Sequence, residues 1–146
     1  LAKNIARDGE GANCLLEVLV KGAKNINDAI MVAKSICNSA LVKTAIHGCD
    51  PNWGRIISAA GNSGIKFNPN EVDLFIGDYQ ILKKGNFIQY DSSKVIHYMQ
   101  SRMKGKYLVD DILQIILDLN SGESKGTAWG CDLSKKYVEI NSEYTT

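Results

Sequence analysis

The chain has 146 residues, of which 45% are hydrophobic and 23% are charged, a composition typical of a globular domain and unlike that of a disordered segment. The formal net charge is +1 and the Lys and Arg residues are scattered along the chain, which argues against nucleic acid or an anionic membrane as the main partner. No apolar run approaches membrane-spanning length and no stretch resembles a signal peptide. We therefore expect residues 1–146 to form a single domain.

The first predicted elements are a glycine-rich turn at residues 5–12 and a strand at residues 13–21. The strand is apolar on both faces and is interrupted only by Glu17, a pattern typical of a strand inside a sheet that is covered on both sides. Two helices are predicted after it, at residues 27–38, where Asn27 is a favourable N-cap, and at residues 39–46.

The segment Lys43–Arg55 has the sequence KTAIHGCDPNWGR. Asp50-Pro51 ends the preceding helix, and Asn52 is placed to cap a new helix over residues 53–60. Two interpretations remain open: a plain capped helix with a half-buried Trp, or a helix start that lines a small anion-binding cleft. Arg55 is expected either to pair with Asp50 or to contact a substrate directly.

The second half of the chain predicts alternating hairpins and helices. The predicted elements are a hairpin of residues 72–76 and 79–82 across Gly77-Asp78, a helix capped by Asp91 or Ser92 and ending at Met103, strands at 111–119 and 125–132 joined by a turn at Gly122, and a last helix at 134–144. Hairpins rather than βαβ units predict an α+β layered domain with a mainly antiparallel or mixed β-sheet packed by helices.

Two stretches near the ends of the sequence carry candidate binding groups. Residues 8–12, DGEGA, place Asp8 and Glu10 beside glycines just before the first strand. Glu10 there is either part of a solvated turn or a carboxylate that holds a substrate ammonium group. Asn141 and Thr146 offer an amide, a hydroxyl and a terminal carboxylate, unless the tail is frayed.

The Cys and His residues do not predict a metal site. Cys14, Cys37, Cys49 and Cys131 form no CxxC pair and have no His ligands at zinc spacing. We expect them to be mostly buried thiols of a cytoplasmic protein. His47 and His97 lack a nucleophile partner at a recognisable motif, so both are expected to be solvated or packed.

Four motifs together resemble the ornithine acetyltransferase / N-acetylglutamate synthase (ArgJ) family. They occur in the family's order and span nearly the whole chain: DGEGA at 8–12, KTAIHGCDPNWGR at 43–55, TAWGCDL at 127–133 and NSEYTT at 141–146. The resemblance implies substrate-binding roles for Glu10, Asn141 and Thr146. We retain Asp8, Asp50, Asn52 and Arg55 as supporting residues and interpret TAWGCDL as structural.

The resemblance also implies a reaction. Family members cut themselves ahead of an internal Thr, which then accepts the acetyl group of N-acetylornithine and passes it to glutamate without a metal or organic cofactor. An α chain supplies the oxyanion hole in a hetero-oligomer of α and β chains. This chain resembles the C-terminal portion of the β chain and begins with Leu1 instead of Thr, so we expect it to supply substrate-binding residues but no nucleophile, and to be inactive alone. The alternative is a free-standing, non-catalytic binding or assembly domain on the same scaffold.

Overall fold

A six-stranded mixed sheet organises the described part of the chain, residues 14–106 and 109–132 of the computed structural model. Its strands are, in chain order, β1 (Leu15–Ala23), β2 (Asp73–Ile76), β3 (Tyr79–Lys83), β4 (Asn86–Phe87), β5 (Ile112–Asp118) and β6 (Ser124–Cys131). Across the sheet their order is β4-β3-β2-β5-β1-β6. β1 and β5 pair in parallel, whereas the other described pairs are antiparallel. The predicted α+β class with a mixed sheet is confirmed.

Residues 14–106 and 109–132 include four α-helices that pack with the sheet, and each of these begins at a polar cap. They are α1 (Ile26–Cys37), α2 (Ala40–His47), α3 (Trp53–Gly61) and α4 (Ser92–Met103), and a 3₁₀ turn covers Pro69–Glu71. The side chains of Asn25, Ser39, Asn52 and Asp91 accept backbone N–H groups at the four helix starts. The predicted caps Asn52 and Asp91 are confirmed. The predicted cap Asn27 is wrong, because α1 starts at Ile26 and Asn25 accepts from the Asp28 N–H at 2.8 Å.

The hydrophobic core lies between the helices and one face of the sheet. Alternate residues of the parallel pair β1 and β5 are fully buried on this face: Leu16, Val18 and Val20 of β1, and Leu113, Ile115 and Leu117 of β5. β6 presents only small residues beside them, namely Gly126, Ala128 and Gly130. These allow α1 to pack directly on the sheet, since a Cβ atom on Gly126 would lie only 2.7 Å from Ile30 Cγ1.

The opposite face of β1 is less completely covered than the sequence predicts. Leu15 is fully buried there, but Glu17 and Leu19 are half-buried and Lys21 is exposed. The prediction of a strand covered on both sides is therefore correct for one face only.

Only the first of the two predicted hairpins forms. β2 and β3 pair antiparallel across Gly77-Asp78, where Gly77 has a φ of +57° and packs under the ring of Tyr98. β5 and β6 follow each other along the chain, but β1 lies between them and pairs with both. The predicted hairpin at Gly122 is wrong, because β5 and β6 do not pair with each other. The long apolar strand β1 occupies the place beside each of them.

Two predicted elements, the turn at residues 5–12 and the helix at residues 134–144, lie outside the described residues. Among the described helices, none is long and apolar enough by itself to cross a membrane. Only when α1 and α2 are counted together are they long and apolar enough to cross a membrane, and the two helices are bent by 60° relative to each other.

Candidate functional site

A short, constrained loop joins α2 to α3 within the KTAIHGCDPNWGR segment. The Gly48 N–H donates to Thr44 O at 3.0 Å and ends α2. Cys49 follows with a φ of +52°, which is uncommon for a residue with a side chain. The Asp50 N–H then donates to Ala45 O at 2.9 Å. These bonds turn the chain sharply and present Asp50 at the start of α3.

Asn52 holds this loop to α3 with both ends of its amide. Its Oδ1 accepts from the Arg55 N–H at 3.1 Å, and its Nδ2 donates to Asp50 Oδ2 at 3.2 Å. The side chain thus caps the helix and fixes the neighbouring carboxylate. Both bonds belong to the capped-helix interpretation of the sequence.

Arg55 ties α3 to α2. Its Nη1 donates to Leu41 O at 3.0 Å and to Thr44 Oγ1 at 3.4 Å. Among the described residues, Arg55 makes no ion pair with Asp50, so the predicted pair is wrong. Asn52 holds Asp50, and the guanidinium of Arg55 points back along α2. Arg55 therefore has a packing role that the sequence does not indicate.

An aromatic cluster of three side chains lies close to the loop. Trp53 and Phe87 have ring centroids 6.2 Å apart, and Phe87 and Tyr90 meet edge to face at 5.5 Å. Trp53 is 40% exposed and Phe87 is 56% exposed. Partial burial and the nearby Asp50 carboxylate raise the pKa of Tyr90, so this phenol stays protonated and neutral at physiological pH.

His47 and Asp132 join two of the sequence motifs. Their side chains meet with His47 Nδ1 2.7 Å from Asp132 Oδ2. Asp132 is fully buried, and its Oδ1 accepts from the Cys14 N–H at 3.0 Å. His47 was expected to be solvated or packed, and the sequence analysis did not predict its bond with Asp132. The sequence signal for this contact is that each residue lies within a motif, His47 in KTAIHGCDPNWGR and Asp132 in TAWGCDL.

A cavity of about 420 Å³ lies between the end of α1 and β6. It is lined by Lys34, Cys37, Asn38, Thr127, Ala128 and Trp129. Burial raises the pKa of the Cys37 thiol to about 12, although the charge of Lys43 opposes this effect. The thiol therefore stays protonated and is a poor nucleophile.

The residues predicted to bind substrate, Glu10, Asn141 and Thr146, lie outside the described residues, as does Asp8. Their convergence on one pocket stays a prediction. Within residues 14–106 and 109–132, no group of three or more His, Cys, Asp or Glu side chains is arranged to hold a metal ion.

A model of the ArgJ family matches residues 1–146, the entire chain. The chain belongs to the ArgJ family. Two similar relatives are both called arginine biosynthesis bifunctional protein ArgJ. The relative from Prochlorococcus marinus subsp. pastoris (strain MED4) is 78% identical over 146 residues. The relative from Prochlorococcus marinus (strain NATL2A) is 55% identical over 146 residues. Each match covers 100% of this chain but only 36% and 35% of the respective relative, so the chain spans about a third of the length of these ArgJ proteins.

A crystal structure of the arginine biosynthesis bifunctional protein ArgJ from Bacillus halodurans is similar in fold, with a TM-score of 0.88 and 45% identity. The similarity covers 97% of this chain and 63% of that chain. Family membership, which was predicted from the motifs, is confirmed. The assignment of this chain to the C-terminal portion of a β chain stays a prediction.

Proposed function

We propose that this chain is part of a glutamate N-acetyltransferase that moves an acetyl group from N-acetylornithine to glutamate in arginine biosynthesis. The observation that carries the proposal is the family match over all 146 residues. It is supported by the 78% identical relative, whose name assigns it to arginine biosynthesis.

In this proposal these 146 residues bind the substrate, and the nucleophile that attacks it lies elsewhere in the enzyme. The Glu10 carboxylate holds a substrate ammonium group through a charge-assisted hydrogen bond. In N-acetylornithine this is the side-chain ammonium, because the α-nitrogen carries the acetyl group. Asn141 and the hydroxyl of Thr146 hold other polar groups of the substrate. A Thr nucleophile on the remainder of the β chain and an oxyanion hole on the α chain complete the site. The cycle needs no cofactor.

The chain then corresponds to the C-terminal portion of a β chain in a cytoplasmic hetero-oligomer. The order of the four motifs supports this placement. In this proposal the Thr nucleophile lies outside these 146 residues, so the isolated chain is expected to show no acyl transfer.

Of the supporting residues, Asp50 is the most suitable for a direct role. It lies at the constrained loop beside the aromatic cluster, held by Asn52. Asn52 acts by holding the Asp50 carboxylate, and Arg55 acts through the α2–α3 packing. Asp8 lies in the same DGEGA segment of the sequence as Glu10 and is proposed to contribute negative charge to the site.

The proposal is tested in a full-length chimera, in which this chain replaces the matching 146 residues of the ArgJ protein from Prochlorococcus marinus subsp. pastoris. We expect the chimera to transfer acetyl groups, and Glu10→Gln to raise the KM for N-acetylornithine by about tenfold or more, because a charged acceptor is replaced by a neutral one. The matched control is Glu123→Gln, which changes an exposed carboxylate and should leave KM unaltered.

Two results would contradict the proposal. An unaltered KM in Glu10→Gln would remove the assigned role of Glu10. A chimera that binds N-acetylornithine or glutamate but never transfers the acetyl group would favour the non-catalytic binding domain.

A further inference from the structure

β6 is the outermost strand on one side of the sheet, where the strand order ends with β1 and then β6. Within residues 14–106 and 109–132, no strand pairs with the other side of β6. An outermost strand presents every second backbone N–H and C=O group away from the sheet, and these groups are a template for pairing with a further strand. The outer edge of β6 is therefore a candidate interaction surface.

The hydrogen bonds at the two ends of β1 show in which direction its backbone groups point. The Leu15 N–H donates to Asp111 O at 2.8 Å, and the Leu119 N–H donates to Lys21 O at 2.9 Å. Both bonds lie on the side of β5, so the odd-numbered residues of β1 direct their N–H and C=O groups towards β5. The even-numbered residues of β1 therefore bond to β6.

The register between β1 and β6 then identifies the residues at the outer edge. Even-numbered residues of the two strands lie opposite each other, as Val18 does with Ala128. Because successive residues of a strand alternate in direction, the N–H and C=O groups of Lys125 and Thr127 point outward, away from β1. Among the residues that the structure describes, none accepts a hydrogen bond from these two N–H groups.

The cavity of about 420 Å³ between the end of α1 and β6 borders this edge. Three consecutive residues of β6 line it, Thr127, Ala128 and Trp129. Neighbouring side chains of a strand point to opposite faces of the sheet, so three in a row meet one cavity where it follows the edge of the strand. A groove between a strand edge and a helix suits an extended peptide, which adds a strand through main-chain hydrogen bonds.

The side chains around the groove carry positive charge. Lys34 lines the cavity, and Lys125 is exposed on β6. The Cε atom of Lys43 lies 3.8 Å from the position of a Cβ atom on Gly130. None of the six residues that line the cavity is acidic. Because opposite charges favour association, a segment that carries Asp or Glu fits this groove best.

We propose that β6 binds an extended, acidic segment of the ArgJ polypeptide from outside these 146 residues, which pairs with the outward N–H and C=O groups of Lys125 and Thr127. The matches to the two Prochlorococcus relatives leave most of each relative uncovered, so an ArgJ enzyme has many residues that can supply this segment. The inference goes beyond acetyl transfer and rests on the proposed function only in placing the chain within a longer ArgJ polypeptide.

Hydrogen–deuterium exchange of the full-length chimera tests the pairing, with residue resolution from electron-transfer fragmentation. We expect the amides of Lys125 and Thr127 to exchange on the order of a hundredfold more slowly than the amide of the exposed Glu123. Ala128, which faces β1, is the internal reference for a protected amide. Fast exchange at Lys125 and Thr127 beside slow exchange at Ala128 would overturn the inference.

A photoreactive side chain identifies the occupant. After irradiation of the Lys125→p-benzoylphenylalanine chimera, we expect the cross-linked peptide to come from outside the 146 residues and to contain Asp or Glu. A cross-link to residues 1–146 of a second copy would assign the edge to pairing between copies and overturn the proposal. The matched control is Lys94→p-benzoylphenylalanine, at an exposed position of α4, which should not capture the same peptide.

Two variants at Thr127 separate backbone pairing from side-chain contact. Thr127→Pro removes the outward N–H and leaves the bonds to β1, whereas Thr127→Val keeps the N–H and a branched side chain. We expect the Pro variant to lower the cross-link yield about tenfold and the Val variant to stay within about twofold of the parent. Equal yields in the two variants would contradict strand addition.

A charge reversal carries the test if Thr127→Pro does not fold. Lys34→Glu should lower the cross-link yield about threefold, because it repels an acidic segment, and Lys94→Glu should leave the yield unaltered. Equal yields for these two variants would remove the acidic occupant. Acetyl transfer by the parent chimera reports separately on the proposed function. A protected edge in an inactive chimera would support strand addition alone, and an active chimera with a rapidly exchanging edge would overturn it alone.

Discussion

The indole of Trp129 donates a 2.8 Å hydrogen bond from Nε1 to Glu17 Oε1, across the antiparallel pair of β6 and β1. The other oxygen of Glu17 accepts from Gln114 Nε2 at 3.2 Å, on the opposite neighbour β5. Glu17, which interrupts the apolar pattern of β1, thus links the three strands on the less covered face of the sheet. A charged acceptor strengthens both bonds.

Trp129→Phe should lower the free energy of unfolding by about 1.5–3 kcal/mol, because it removes a donor from a half-buried carboxylate. Urea unfolding of the parent and the variant measures the difference. In a Glu17→Gln background the loss should be smaller, since the acceptor is then neutral. Equal stability of Trp129→Phe and the parent would show that this bond contributes nothing.

Gly126→Ala should destabilise the chain, because the new Cβ would lie 2.7 Å from Ile30 Cγ1 and 3.0 Å from Ile30 N. We expect a loss of about 1–3 kcal/mol, the usual cost of overpacking. Gly61→Ala is the matched control: it lies in α3 with no heavy atom within 4 Å of the added Cβ, and should stabilise the chain by about 0.5–1 kcal/mol. Changes of the same sign in both variants would contradict the close packing of α1 on β6.

Cys37 should make stability fall as the pH rises. Burial raises the pKa of its thiol from the ordinary 9.0 to about 12, so the unfolded chain loses this proton first. The stabilising contribution is complete below about pH 9 and is lost between about pH 9 and pH 12. The free energy of unfolding of the parent should therefore decrease more steeply from about pH 8 to about pH 10.5 than that of Cys37→Ala. Parallel curves would mean that Cys37 is not responsible.

Arg55→Met should weaken the α2–α3 contact, because it removes the donors to Leu41 O and Thr44 Oγ1. We expect a loss of about 0.5–1.5 kcal/mol in urea unfolding. In the full-length chimera the KM for N-acetylornithine should stay within about twofold of the parent. A large rise in KM at unaltered stability would instead assign Arg55 to substrate binding.

The local features of this fold could be predicted from the sequence. Asn52 and Asp91 are good caps directly before helical patterns, and Gly77-Asp78 lies between two short apolar runs, so the turn and both caps follow from neighbouring residues. Asn25 and Asn27 have the same capping chemistry, so the sequence alone does not decide between them, and the structure has the cap at Asn25.

The long-range features could not be predicted. The place of β1 between β5 and β6 depends on pairings between the two ends of the chain. The contact between His47 and Asp132 likewise joins residues 85 positions apart. Arg55 has Asp50 near it in sequence, but the geometry of α3 directs the guanidinium towards α2. Single-sequence patterns indicate which residues prefer to be buried or paired, and they do not identify distant partners.

The position of β1 between β5 and β6 has a consequence for synthesis on the ribosome. Leu15 pairs with Ile112 and with Cys131, so its partners emerge from the exit tunnel only after most of the chain has been translated. At about 5–20 residues per second, the segment LLEVLV remains without its sheet neighbours for several seconds. During that interval it is a natural binding site for a chaperone that shields nascent apolar segments, and a truncated message would release an aggregation-prone product.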